Sequence, residues 1–135
     1  MRKLNPMFLM LAVVIMCSCQ AKEQANYQVI PLPQEVVLTK EASFVISGKT
    51  RILYPDGNNL LKRNATFLSG YLKEITGKAL TTEAFTGDHT SNAIILGLNE
   101  DIAQEEGYKL TVDKDQVHIT GKTEAAVFYG IQTLR

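Results

Sequence analysis

Four carboxylates lie close together at Glu100, Asp101, Glu105 and Glu106, and a pair of carboxyl groups can act as general acid and base. They occupy a polar stretch directly after the apolar run 93–98. A solvated surface cluster is therefore the expectation, and no catalytic role is assigned to them. Asp113 and Asp115 are accounted for by turn chemistry alone. His89 and His118 stand far apart, and neither has a second ligand at a metal-site spacing. Ser47-Gly48 and Ser69-Gly70 lack the strand, sharp turn and helix that expose a nucleophilic serine. No glycine-rich phosphate loop occurs, and the sequon Asn64-Ala65-Thr66 falls inside a helical pattern, where it reads as chance. The residues thus predict no catalytic site, no metal and no cofactor.

The elements that would have to position any chemistry are better marked. Leu61, Ala65, Leu68, Leu72 and Ile75 recur at helical spacing, with Asn58 or Asn59 able to cap the start and Gly77 placed to end the helix in a left-handed conformation. Lys62, Arg63, Lys73 and Glu74 form its polar face. Residues 93–98 are continuously apolar and of strand length, as a central strand requires. Residues 108–112 and 117–120 alternate apolar with polar and are joined by Asp113-Lys114-Asp115-Gln116, a hairpin signature. Shorter β-rich runs are expected at 36–38, 44–46 and 52–54, preceded by an extended, proline-containing segment at 27–33. Thr123 can cap a second helix through Ala126, Val127, Ile131 and Leu134. The expected class is α+β: a small mixed or mostly antiparallel sheet covered by two helices. The last helix pattern has no stop signal before Arg135, so the chain is expected to be cut off before a further domain.

The front of the chain has a different character. Arg2 and Lys3 precede an apolar run from Met7 to Met16, which matches a signal peptide and is too short to span a bilayer. Met16-Cys17-Ser18-Cys19 resembles the bacterial lipobox, which implies export, diacylglyceryl modification of Cys19 and anchoring to the cell envelope, in the periplasm or at the cell surface. Residues 1–18 are accordingly assigned to the signal, 19–26 to a polar tether and 27–135 to the folded domain. The chain has two cysteines and none after Cys19, so the domain holds no disulfide. Losing Arg2 and Lys3 from fourteen basic residues, against fourteen acidic ones, leaves the domain near neutral. Its dispersed Lys and Arg make no footprint for nucleic acid.

Several segments, taken in order, resemble a known family. Val29-Ile30-Pro31-Leu32-Pro33-Gln34, then Glu106-Gly107-Tyr108-Lys109-Leu110-Thr111-Val112, then Val117-His118-Ile119-Thr120-Gly121 resemble parts of the N-terminal domain of the family 20 β-N-acetylhexosaminidases. The run from Ala126 to Arg135, with Phe128-Tyr129-Gly130 at its centre, is the most specific of the matches. The resemblance implies a small layer packed on the side of a following (β/α)8 barrel, whose Asp-Glu pair would carry the hydrolysis and bind the glycan. No Asp-Glu dipeptide exists in these 135 residues, so no catalytic residue is carried over. Phe128 and Tyr129 are expected to reach toward the barrel. Gly130, which has no side chain, would let the helix approach that surface closely. Two rival readings are a related family 84 or family 67 glycosidase and a stand-alone lipoprotein that binds glycans or a partner.

Overall fold

The structure is a computed structural model, and it describes residues 29–30, 32–38, 43–85, 87 and 90–135. Five strands and two helices follow in the order β1 (Arg51–Pro55), α1 (Asn59–Thr76), β2 (Thr81–Phe85), β3 (Ala93–Leu98), β4 (Tyr108–Val112), β5 (Gln116–Gly121) and α2 (Glu124–Leu134). The strands form one sheet in the order β2-β1-β3-β5-β4. β1 pairs in parallel with β2 and β3, β3 pairs in parallel with β5, and only β4 runs antiparallel to its neighbour β5. The sheet is thus mixed, with parallel pairing predominant. The α+β class and the two covering helices stand.

α1 forms where its sequence sets both ends. Asn58 Oδ1 accepts from the Leu61 N–H at 2.9 Å, and Gly77, at φ 70°, donates its N–H to the Lys73 carbonyl. These contacts satisfy backbone groups that a helix end leaves unpaired. Leu61, Ala65, Leu68 and Leu72 are buried against Ile52, Tyr54, Ile94, Leu96, Val117 and Ile119 of the sheet. Each large side chain buried in this layer contributes about 1.5–3 kcal/mol of transfer free energy. α2, capped by the Thr123 hydroxyl at 3.2 Å from the Ala126 N–H, adds Val127 and Ile131 to the same core. Both helices therefore cover one face of the sheet.

The other face carries Arg51 and Glu83, bridged at 3.4 Å, and His118, whose Nε2 lies 2.6 Å from Gln116 Oε1. Gln116 Nε2 donates to the Thr90 carbonyl, which brings Thr90 to this face.

Some expectations need correction. Ile75 continues the α1 stripe in sequence but is 58% exposed and lies outside the buried core cluster. Residues 36–38 and 44–46 are described and belong to no strand, although Phe44 and Ile46 pack on the core and Val45 is 75% exposed. In segment 27–33, residues 29, 30, 32 and 33 are likewise outside any strand, and 27, 28 and 31 lie outside the described residues. β2 was not foreseen. Its Thr-Thr-Glu-Ala-Phe sequence holds three strand-favouring residues interrupted by Glu83 and Ala84, without a buried apolar run, and it is an edge strand placed by the crossover through α1, since parallel neighbours need such a connection.

Candidate domain interface on the two helices

The carboxylates considered first remain in solvent. Glu100, Asp101, Glu105 and Glu106 are all exposed in the loop between β3 and β4. That loop is tied down through its backbone: the Glu100 carbonyl accepts from Lys122 Nζ, and the Glu105 carbonyl accepts from the Thr123 hydroxyl at 3.0 Å. Asp113 Oδ1 accepts the N–H groups of Asp115 and Gln116, both at 2.7 Å, and these bonds hold its carboxyl below the usual range. Both bonds belong to the hairpin turn between β4 and β5. Ser69 Oγ donates to the Leu80 carbonyl at 2.7 Å, and Ser47 is hydrogen-bonded to Thr50. Asn64 Nδ2 donates to the Glu124 carbonyl at 2.8 Å, so its amide is part of the helix pairing. His89 and Cys19 lie outside the described residues. Among the described residues, no group of three or more His, Cys, Asp or Glu could hold a metal ion, and no helix is long and apolar enough to cross a membrane.

What the fold does present is the outer side of the helix pair. Its two helices are tied at both ends. At the N-terminal end, Asn58 Nδ2 donates to Glu124 Oε1 at 2.9 Å; this bond, followed by a backbone N–H, holds the Glu124 carboxyl below the usual range. At the other end, the Tyr71 hydroxyl donates to the Arg135 carbonyl at 3.2 Å, and the Arg135 guanidinium lies 4.6 Å from the centre of the Tyr71 ring, at cation–π distance. Between the ties, Phe67 of α1 and Phe128 of α2 meet with ring centroids 5.1 Å apart and planes inclined at 55°. Phe67 is still 40% exposed and Leu60, two turns earlier, 50%.

Of the three residues expected at an interface, Phe128 and Tyr129 are half-buried and Gly130 is fully buried. Gly130 turns the opposite way from the expectation. A Cβ there would stand 2.5 Å from Ile119 Cγ2 and 3.1 Å from Tyr108 Cδ2, so the close approach it permits is to this domain's own sheet. Tyr108 completes that contact, with its hydroxyl 2.6 Å from Thr133 Oγ1. Sequence reasoning missed Phe67 and Leu60. Their signal was two large apolar residues lying off the buried stripe of an otherwise polar helix face.

These observations define the class: an α+β layer with one five-stranded sheet among the described residues, covered by two helices that carry an apolar seam on their outer side. The family follows from the sequence itself. Residues 26–135 match the model described as glycosyl hydrolase family 20, domain 2, and the chain belongs to that family. A β-hexosaminidase of Porphyromonas gingivalis is 34% identical over 126 residues, which cover 87% of this chain and 16% of that protein. A solved structure, the GH20 β-N-acetylhexosaminidase of Streptomyces coelicolor A3(2), superposes with a TM-score of 0.64 at 31% identity, covering 85% of this chain and 22% of that one. The chain thus spans about a sixth of the curated relative's length.

Proposed function

We propose that residues 27–135 are the N-terminal, non-catalytic domain of an exo-acting β-N-acetylhexosaminidase that removes terminal non-reducing N-acetylglucosamine or N-acetylgalactosamine from glycans. The observation that carries this reading is the match of residues 26–135 to domain 2 of the family, joined by two relatives that bear that activity in their names. In this reading a following (β/α)8 barrel supplies the acid and the carboxylate that steers the acetamido group, and binds the glycan. The present domain supplies neither carboxylate, and its partner is that barrel, reached by Phe128 and Tyr129. At the front, Arg2, Lys3, the apolar run and the Ser18-Cys19 pair support export and lipid anchoring through Cys19 to the bacterial envelope.

The test is turnover of p-nitrophenyl N-acetylglucosaminide. A longer polypeptide that carries this domain hydrolyses it, and the pure 135-residue chain does not. Turnover by the short chain, abolished by Glu100→Gln or Glu106→Gln, overturns the assignment.

A further inference from the structure

Ahead of β1 the described chain leaves its apolar side chains in water. Ile30 and Leu32 are 87% and 77% exposed, and Val36, Val37 and Leu38 are exposed as well. Single exposed apolar residues are ordinary, but a concentration of them in one short segment marks an interaction site. The residues that follow behave otherwise, since Phe44 and Ile46 pack on the core. From Ile46 onward the chain is fixed at one place. Lys78 Nζ donates to the Ile46 carbonyl at 3.0 Å, the Thr50 N–H donates to the Ser47 carbonyl at 3.1 Å, and the Thr50 hydroxyl donates to Asn92 Oδ1 at 2.6 Å. The Arg51 N–H then meets the Asn92 carbonyl, and the Asn92 N–H meets the Asp115 carbonyl. The segment therefore joins the domain at the end of the sheet where β1, β3 and β5 begin.

We propose that Ile30, Leu32, Val36, Val37 and Leu38 enter the headgroup boundary of the bilayer that holds the Cys19 lipid, and so seat the domain on that surface with the strand-starting end of its sheet toward the membrane. The inference rests on the lipid-anchor part of the functional reading above. The occupant follows from chain length. An extended chain covers at most about 3.3–3.6 Å per residue, so Ile30 lies within about 40 Å of the anchored cysteine in any conformation. Tethering at this range makes the contact intramolecular, and a weak interfacial affinity is then enough to hold it. The composition fits the same occupant. Glu35 is the only ionisable residue from 29 to 38, and Pro31 and Pro33 have no N–H groups to desolvate. The apolar residues are all aliphatic, without the Trp, Tyr and Arg anchors that concentrate binding energy in protein interfaces. Depth is limited to the interface, because the described residues of 29–38 belong to no helix or strand and their backbone polar groups cannot be left unpaired in hydrocarbon.

The experiment uses the full-length lipoprotein, reconstituted in vesicles of phosphatidylethanolamine and phosphatidylglycerol. The Cys19 sulfur is blocked by its link to the lipid, so with any cysteine beyond residue 135 changed to serine, one introduced cysteine carries an environment-sensitive dye. The probes are Leu32→Cys and Val37→Cys, at exposed positions where substitution leaves the core intact. The controls are Lys62→Cys and Asp101→Cys, exposed near the end of the sheet where β1 and β3 finish. Lipids spin-labelled near the headgroup are expected to quench most of the emission at 32 and 37 and to leave both controls unchanged. With the dye at 37, the combined Ile30→Ser, Leu32→Ser and Val36→Ser variant should lose that quenching. Quenching at 32 and 37 no greater than at the controls overturns the proposal, and equal quenching at all four positions overturns the orientation. Shielding of the dye at 37 from aqueous iodide without quenching by lipid overturns it in favour of a protein contact: a second copy where the shielding fades as protein is diluted among vesicles, the rest of the polypeptide where it does not. Incorporation of a palmitate analogue by the same preparation reads the anchor separately. Label without quenching at 32 and 37 removes only the seating, and absence of label removes the anchor and the seating with it.

Discussion

Two glycines sit inside helices, and the structure predicts opposite consequences for giving each a methyl group. At Gly130 the new Cβ would lie 2.5 Å from Ile119 Cγ2 and 3.1 Å from the Tyr108 ring. Neither neighbour yields easily: Ile119 is fully buried and branched at Cβ, and Tyr108 is held through its hydroxyl by Thr133. Overpacking of this kind costs about 1–3 kcal/mol, and two stiff contacts argue for the upper end. Alanine returns about 1 kcal/mol through its better helix propensity, which leaves a net loss of about 2 kcal/mol for Gly130→Ala. At Gly70 nothing stands within 4 Å of the added Cβ. There the propensity term acts alone, and Gly70→Ala stabilises by about 0.5–1 kcal/mol. The assay is urea unfolding of residues 20–135 followed by circular dichroism. With a slope of about 1–3 kcal/mol per molar urea, the two variants' midpoints should straddle the parent and differ by about 1 M or more, with unchanged slopes. A Gly130→Ala midpoint at or above the parent's would refute the orientation assigned to α2, because the glycine would then face open space.

Asn58→Ala removes the α1 cap and should lower stability by about 0.5–2 kcal/mol in the same assay. Glu124 gives a pH signature. Its carboxyl is held below the usual range, first by the Asn58 amide, so its contribution is present above the unfolded-state pKa of about 4.3 and is lost as pH falls through the lower folded-state value. The stability difference between the parent and Glu124→Gln should therefore be constant at neutral pH and shrink below about pH 4; a difference that grows on acidification contradicts the assignment. Cys19→Ala should abolish incorporation of a palmitate analogue into the expressed protein, and undiminished label would remove the lipid-anchor proposal.

α1 was legible in the sequence because three signals agree: the Leu61, Ala65, Leu68 and Leu72 spacing, the Asn58 cap and the Gly77 stop. Ile75 shows the limit of spacing. Periodicity says which side of a helix a residue is on, but not whether the sheet extends beneath that turn. β2 was missed for a related reason: its place at the edge comes from the α1 crossover, and its strand-favouring Thr81, Thr82 and Phe85 are separated by Glu83 and Ala84, so no apolar run or clean alternation marks it. At the seam, Phe128 and Tyr129 stood out as aromatics within an apolar helix. Phe67 did not, because its significance lies in a contact with a residue 61 positions away that only the tertiary structure supplies. Gly130 was recognised as a close-approach residue and assigned to the wrong surface. A glycine shows that something comes near, but its direction depends on how the helix is rotated on the sheet, which is fixed here by Val127 and Ile131.

The helix pair is also held in shape by contacts along its whole length. Asn58 and Asn64 bind the first turn of α2 to α1, Tyr71 binds its last residue, and the phenylalanine pair fills the interval, so the relative position of the helices is determined at three points along their length. Most of the groups involved belong to elements whose opposite sides are buried in the core. A surface built in this way loses little further side-chain or backbone freedom on association, and the ordering cost that weakens many contacts of similar size is largely met within the domain. The packed core beneath the two helices thereby fixes the orientation of the outer ridge of Leu60, Phe67 and Phe128.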